Sequence, residues 1–218
     1  MKDVVFDYAR AARIGLPEAV LCEGKPLGTL ADLLTTFGRG SEHSVLFTRL
    51  APEVFAALPE TARAGVDYHP LSRTAWGEIL PCKPKGKVAI VSAGTADGHA
   101  AWEAARTLEF LRIEWTIFED CGVAGLWRLL ERLPKINAHD VVIVVAGLDA
   151  ALASVLGGLT PQPLLAVPTS IGYGVANQGE TAQHSMLTSC APGVGVFNID
   201  NGYGAACAAA RIVRLLYP

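Results

Sequence analysis

The chain has 218 residues, a formal net charge of −3 and no basic block. That length suits one full domain with an appendage, and that charge argues against a nucleic-acid or anionic-membrane partner. Residues 1–4 do not resemble the start of a signal peptide. No apolar run approaches the length of a membrane span, about 18 residues, so we expect a cytoplasmic protein. The five cysteines form no C-x-x-C pair and no His/Cys cluster has zinc spacing, which predicts free thiols.

The first 84 residues contain short elements with irregular spacing. Apolar periodicity predicts short helices at 4–13, 27–37 and 51–58, a strand at 44–48, and an irregular stretch at 67–77. Pro81, Pro84 and Gly86 then interrupt the chain. We therefore predict that residues 1–84 form an N-terminal arm or small subdomain, and that residues 85–218 form the catalytic domain.

From residue 85 onward, apolar runs alternate with helical stretches. The runs, short and rich in branched residues, are 88–92, 114–118, 141–145, 164–167 and 194–198. The helical stretches are 101–111, 126–133, 150–156, 181–187 and 205–216. Alternation of this kind is typical of βαβ units, and continuously apolar strands indicate a sheet covered on both faces. The sequence predicts an α/β fold, a three-layer αβα sandwich with a parallel sheet of about five strands.

Glycine-rich segments follow four of these runs, where ligands bind beyond the carboxyl ends of parallel strands. Glycine lets backbone N–H groups approach a phosphate, and helix N-termini favour anions. The alternative is that the glycines serve tight strand-to-helix turns and the aspartates cap helices. The candidate substrate-binding residues in these segments are Gly94, Thr95, Asp97, Thr169, Ser170, Gly172, Tyr173, Gly174, Asp200 and Asn201.

Three further residues each have two interpretations. Cys190, just before the fifth run, is either a buried structural cysteine or a reactive thiol. Arg13, in a charged N-terminal stretch, either reaches across a crevice or a subunit interface, or lies on a solvated helix face. His184, six residues before Cys190, is either an ordinary helix histidine or a base that activates the thiol.

Several motifs resemble a known family. The sequence SAGTAD at 92–97 resembles the first-strand turn of the PurE-like superfamily, which includes aminoimidazole ribonucleotide carboxylase. The motifs that resemble the LarB family are RIGLPE (13–18), GVAGL (122–126), residues 146–158, VPTSIGYG (167–174), MLTSCA (186–191) and NIDNGYGA (198–205). They span nearly the whole chain, including the N-terminal part that PurE proteins lack, so the chain is identified as a member of the LarB family.

The resemblance implies a substrate and a reaction. The LarB family carboxylates the pyridinium ring of nicotinic acid adenine dinucleotide with carbon dioxide or bicarbonate and hydrolyses the phosphoanhydride, releasing AMP. This is the first step of nickel-pincer nucleotide cofactor biosynthesis. The resemblance also implies Mg²⁺, no tightly bound organic cofactor, and a homo-oligomer, either an octamer or a tetramer.

The family's catalytic residues match two positions of this chain. Its reactive cysteine matches Cys190, and Asp149 stands where the family has a glutamate, which implies a nucleophile and its partner base. Covalent addition of a thiolate would convert an electron-poor pyridinium into a nucleophilic enamine. Asp149 is one methylene shorter than glutamate, and Trp127 stands where a histidine is usual. A PurE-type carboxylase or mutase and a non-catalytic nucleotide-binding paralogue remain the alternatives.

Overall fold

The computed structural model describes residues 4–79 and 85–218 and divides into two compact units, Met1–Cys82 and Lys83–Pro218. The domain boundary predicted at residue 84, and with it Cys82, lies outside the described residues. Within the described ranges, no helix is both long enough and apolar enough to cross a bilayer.

The first unit is a small α/β subdomain with a hydrophobic core of its own rather than an extended arm. Its elements are α1 (Arg10–Ile14), β1 (Ala19–Leu21), α2 (Leu27–Thr36), β2 (Leu46–Thr48), α3 (Pro52–Ala57), α4 (Glu60–Arg63), β3 (Asp67–His69) and β4 (Thr74–Trp76). The sheet order is β1-β2-β4-β3. Leu30, Leu33 and Leu34 of α2 pack with Phe37 and Phe47 in the core, as the helical spacing of the leucines predicts.

Two predictions for this unit were wrong. The helix predicted at 4–13 is formed only by Arg10–Ile14, because the preceding residues are not helical and Val4 and Phe6 pack against the core. Residues 67–77, expected to be irregular, contain the antiparallel strands β3 and β4. Each strand has only three residues, too few to show an alternating pattern, and β4 is held in place by pairing with β2, where Phe47 faces Ala75. Tertiary pairing, not local propensity, forms this hairpin.

The second unit has the predicted alternation of strands and helices. Its elements are β5 (Lys87–Ser92), α5 (Gly98–Phe110), β6 (Glu114–Phe118), α6 (Leu126–Ile136), β7 (Val141–Ala146), α7 (Ala151–Gly157), β8 (Leu164–Pro168), α8 (Glu180–Leu187), β9 (Gly195–Val196) and α9 (Gly202–Leu216). The strands form an all-parallel five-stranded sheet in the order β6-β5-β7-β8-β9. The predicted α/β sandwich is confirmed.

Helices cover both faces of this sheet. Buried residues of α6, α7 and α8 pack on one face, and α5 and α9 pack against each other and cover the other face. Since β6 and β7 lie on opposite sides of β5, the chain reverses direction across the sheet between β5 and β7. A crevice is expected at the carboxyl ends of those two strands.

Helices α5 and α9 approach closely because small residues line both. A Cβ atom at Gly202 would lie 2.2 Å from the carbonyl oxygen of Ala100 and 2.9 Å from the backbone nitrogen of Ala104. Gly202→Ala is therefore expected to lower the free energy of unfolding by about 1–3 kcal/mol, since backbone atoms must move. Urea unfolding would measure this change, with the half-buried Ala208→Ser on the same helix as a control. An unchanged midpoint for Gly202→Ala would contradict this close packing.

Candidate functional site

A cavity of about 660 Å³ opens where the chain reverses between β5 and β7. We call it the carboxyl-edge cavity. Its walls are the turn after β5, residues 122–124 before α6, the turn after β7 and the loop after β8. Of the predicted site residues, the cavity brings together Gly94, Asp97, Asp149 and Tyr173.

The turn after β7 is shaped by backbone contacts. A Cβ atom at Gly147 would lie 2.3 Å from the carbonyl oxygen of Ile171, so only glycine fits against the loop after β8. The next amide, that of Leu148, donates to the same oxygen at 2.9 Å. Leu148 and Ala150 both have left-handed backbone conformations, with φ of 53° and 52°. Non-glycine residues held in this way store strain that is often found at functional sites.

Asp149 lies between these two strained residues at the wall of the cavity. Its side chain is exposed, and Oδ1 accepts one long hydrogen bond, 3.3 Å, from the backbone N–H of Ala151. The carboxylate therefore keeps acceptor capacity for a ligand. This placement suits a residue that removes a proton from a molecule bound in the cavity.

Asp97 is bound internally. It is only 4% exposed, and it accepts the Thr169 hydroxyl at 2.6 Å and the Gly94 backbone N–H at 2.8 Å. The carboxylate thus joins the turn after β5 to the end of β8 and occupies the amide that Gly94 was predicted to offer to a phosphate. The neighbouring Thr95 is exposed and does not line the cavity.

The loop after β8 carries the other predicted anion contacts. Gly172, Tyr173 and Gly174 have backbone N–H groups without an acceptor in the described part of the chain. Tyr173 lines the cavity and is 84% exposed, so its ring stands at the mouth. The backbone N–H of Ser170 is already used, because it donates to Asp200 Oδ1 at 2.9 Å.

Asp200 and Asn201 lie between β9 and α9, outside the cavity lining. Asn201 caps α9, accepting the Gly204 backbone N–H at 2.8 Å, which is the structural role considered above. Asp200 has φ of 56° and contacts His99, with 2.8 Å between Oδ1 and Nε2. The hydrogen bond to Asp200 raises the pKa of His99. Burial raises the pKa of Asp200, but hydrogen bonds from His99 and Ser170 outweigh it and leave that pKa lowered.

His99 is the residue that sequence reasoning missed. No motif in the sequence singles it out, and its partner Asp200 is 101 residues away along the chain. The usable signal was positional: both residues follow strands at the same edge of the sheet.

Cys190 is exposed but does not line the cavity of its own chain. Its neighbour Ser189 contacts Ser154 in the middle of α7, with 2.7 Å between the hydroxyl oxygens. On the other side, Ala191 packs at Gly157, the last residue of α7. Asp149 precedes α7, so the two predicted catalytic residues are separated along this helix by about 10 Å, from a rise of about 1.5 Å per residue.

The other described cysteines are poorer nucleophiles. Burial raises the pKa of the Cys22 thiol to about 12, and burial also raises the pKa of Cys121. Cys207 is half-buried on α9. Among the described cysteines, Cys190 is the exposed one, which favours the reactive interpretation over the buried structural one.

Arg13 and Trp127 are not among the residues that line the cavity. Arg13 belongs to the first unit, where its guanidinium donates to the Asp7 carboxylate. This hydrogen bond raises the pKa of Arg13 and lowers that of Asp7. The Arg13 side chain is 59% exposed, and its contact with a substrate stays a prediction. Trp127 is 62% exposed on α6.

The charge of the cavity is one-sided. Its described lining carries two carboxylates, Asp97 and Asp149, and no lysine, arginine or histidine. In the described part of the chain, no group of three or more His, Cys, Asp or Glu side chains could hold a metal ion. Both Asp97 oxygens are already bonded, so these residues do not form a protein site for Mg²⁺.

Comparisons with known proteins agree with this architecture. A profile of the AIR carboxylase family matches residues 87–218, and one described as LarB/PurE-like N-terminal domain matches residues 1–79. The chain is 32% identical to an uncharacterized protein of Methanocaldococcus jannaschii over 97% of its own length and 84% of that protein. The chain therefore belongs to the AIR carboxylase family and carries the LarB/PurE-like N-terminal domain before its parallel-sheet domain.

Proposed function

We propose that this protein carboxylates the pyridinium ring of nicotinic acid adenine dinucleotide and hydrolyses its phosphoanhydride to release AMP. It would thereby catalyse the first step of nickel-pincer nucleotide biosynthesis. The family supports a carboxylase, and the LarB/PurE-like N-terminal domain favours this substrate over aminoimidazole ribonucleotide.

One observation carries the proposal: an exposed carboxylate, Asp149, stands at the wall of a cavity whose described lining is mostly apolar and carries carboxylates but no cationic side chain. Such a cavity suits a flat cationic ring. Tyr173 at the mouth adds an aromatic face, which attracts cations such as pyridinium.

The proposed chemistry uses one thiol and one carboxylate. The Cys190 thiolate adds to the ring carbon para to nitrogen, forming a C–S bond and a neutral dihydropyridine. The free meta carbon then attacks carbon dioxide, and Asp149 accepts the proton from that carbon. Expulsion of the thiolate breaks the C–S bond and restores the aromatic ring.

This chemistry supports the predicted homo-oligomer. In one chain Asp149 precedes the start of α7, whereas the neighbours of Cys190 contact the middle and the end of that helix. The thiol that meets a given Asp149 therefore comes from a second copy in this proposal. The exposed Leu126, Trp127 and Leu130 on α6 offer an apolar surface for such an assembly. Light scattering that shows a monomer at micromolar concentration would contradict the assembly.

The diphosphate of the substrate is proposed to bind at the backbone N–H groups of Gly172–Gly174, beside the turn after β5, whose Gly94 amide already donates to Asp97. Gly94 has an extended backbone that any residue adopts, and a Cβ atom there would lie 3.6 Å from Asp97 Oδ2, an ordinary contact. Gly94→Val is therefore expected to fold normally and to abolish dinucleotide binding, because its side chain would add bulk at the cavity lining. Calorimetry with the intact dinucleotide measures this, and unchanged affinity would remove the assignment.

Incubation with nicotinic acid adenine dinucleotide, bicarbonate and magnesium, read by mass spectrometry, tests the function. The expected products are AMP and pyridinium-3,5-biscarboxylic acid mononucleotide. Carboxylation of aminoimidazole ribonucleotide instead would indicate a PurE-type enzyme, which the AIR carboxylase match keeps as a second candidate. Dinucleotide binding without any product would indicate a non-catalytic paralogue.

A further inference from the structure

His99 and Asp200 form a partly buried polar contact at the same edge of the sheet as the carboxyl-edge cavity, and the proposed chemistry does not use it. Their side chains are 29% and 20% exposed, and Nε2 and Oδ1 are 2.8 Å apart. The other ring nitrogen, Nδ1, faces the carbonyl oxygen of Ala96 at 3.4 Å. Each ring nitrogen therefore faces an oxygen that only accepts hydrogen bonds.

This arrangement favours the charged form of the ring. A neutral imidazole has one N–H and one lone pair, so either tautomer would point a lone pair at an oxygen. Only the imidazolium donates to Ala96 and Asp200 together. The hydrogen bond to Asp200 also raises the pKa of His99, in agreement with the geometry.

The contact joins three segments at the carboxyl edge. Ala96 lies in the turn after β5 and lines the cavity. Asp200 follows β9, and its Oδ1 also accepts the backbone N–H of Ser170. Ser170 immediately precedes Ile171, which lines the cavity from the loop after β8.

We propose that His99, held as an imidazolium between Ala96 and Asp200, is a positioning residue that fixes two walls of the cavity relative to each other. We call the two hydrogen bonds from His99 to Ala96 and Asp200 the tie, and it weakens when the ring loses its proton. Because the pKa of His99 is raised above its ordinary 6.5, the tie contributes fully below pH 6.5 and is lost as pH rises through the raised value.

The surrounding charges favour the protonated ring. Asp200 and the buried Asp97 are the acidic groups that act on it most strongly. One turn along α5, the buried Glu103 accepts the Tyr203 backbone N–H at 3.1 Å, at the start of α9.

Nuclear magnetic resonance of the full chain with ¹⁵N-labelled histidine tests the charge state. Both ring nitrogens of His99 should carry protons at pH 6.5, and the amide signals of Ser170 and Ile171 should shift with the same midpoint as the ring. In His99→Gln, whose side-chain amide can still donate to Asp200, those amide shifts should no longer depend on pH. A neutral ring at pH 6.5 would overturn the proposal. So would Ser170 and Ile171 amide shifts in wild type that do not follow the titration of His99.

A second arm measures ligand affinity and rests on the proposed function, since its probe is nicotinic acid adenine dinucleotide. Wild-type affinity should fall by roughly 3- to 10-fold as His99 is deprotonated, the size expected from loss of one charge-assisted hydrogen bond that acts indirectly. His99→Gln should bind with a flat pH profile. His139→Gln, altered at a ring that faces the Lys135 carbonyl oxygen away from the cavity, should follow wild type.

The two arms separate the two ideas. If the dinucleotide fails to bind at any pH while the Ser170 amide follows His99, the proposed substrate is wrong and the positioning role stands. If the dinucleotide binds with the same pH profile in wild type and His99→Gln, the positioning role is wrong and the proposed substrate stands.

Discussion

Replacing Cys190 with serine is expected to abolish carboxylation while leaving substrate binding nearly unchanged. A serine hydroxyl is essentially never ionised near pH 7, so it cannot add to the pyridinium ring as a thiolate does. The exchange of sulfur for oxygen preserves the shape of the side chain. Since Cys190 is exposed, the substitution should leave the fold and its stability intact.

The measurement is the absorbance band of the dihydropyridine adduct after nicotinic acid adenine dinucleotide is added. Wild type should show the band, and Cys190→Ser should show neither the band nor turnover. Cys207→Ala is the matched control, because Cys207 is half-buried on α9 and has no proposed role. Cys22, Cys82 and Cys121 should likewise tolerate replacement, at most losing stability through a small cavity. An unchanged band and turnover in Cys190→Ser would refute the covalent mechanism.

The sheet of the second unit was predictable because its strands are buried on both faces. The runs that contain Val88–Val91 and Val141–Val145 are continuously apolar. Runs of this kind are typical of strands in a parallel sheet that helices cover on both faces. The last strand is shorter than its predicted range, 194–198, and comprises Gly195–Val196 at the edge of the sheet. An edge strand has one neighbour to pair with, so its length depends on local contacts that the pattern does not encode.

The position of the cavity was predictable in part. Parallel strands place the segments after β5, β7 and β8 at one edge, and that rule places Gly94, Asp149 and Tyr173 around one cavity. The order of elements also predicts where Cys190 lies, but for this residue it predicts a position away from the cavity. Cys190 follows helix α8, which returns the chain to the amino edge, so a position away from the cavity of its own chain was implied by the order of elements.

Side-chain partnerships were not predictable from sequence. Nothing in the spacing of Asp97 and Thr169 shows that both carboxylate oxygens of Asp97 accept hydrogen bonds from its own chain, one from a hydroxyl and one from a backbone amide. Whether a carboxylate caps a turn or binds a ligand depends on which donors the fold brings within about 3 Å. For the same reason, the contact between His99 and Asp200 appears only once the sheet is assembled.

Asp149→Asn is expected to slow turnover by about 10²–10⁴-fold if Asp149 is the general base. Asparagine keeps an oxygen that can accept the backbone N–H of Ala151, so the turn after β7 should keep its conformation. The adduct of Cys190 should still form, because thiolate addition does not need this base, and its absorbance band should accumulate. Asp149→Glu, which has the carboxylate of the wider family, should retain activity. Glu131→Gln, at an exposed carboxylate on α6, should behave as wild type.

Mixing the two inactive variants gives the sharpest form of this prediction. In assemblies containing both Cys190→Ser and Asp149→Asn subunits, some sites would receive Cys190 from one copy and Asp149 from another. Because the two residues of one chain are separated along α7, we expect such mixed assemblies to recover part of the wild-type turnover, while each variant alone stays inactive. Mixtures of either variant with itself, refolded in the same way, control for the mixing procedure. Confirmed mixed assembly without recovery would mean that both residues act within one chain, and the site proposed here would then require α7 and the Ser189–Ala191 segment to rearrange.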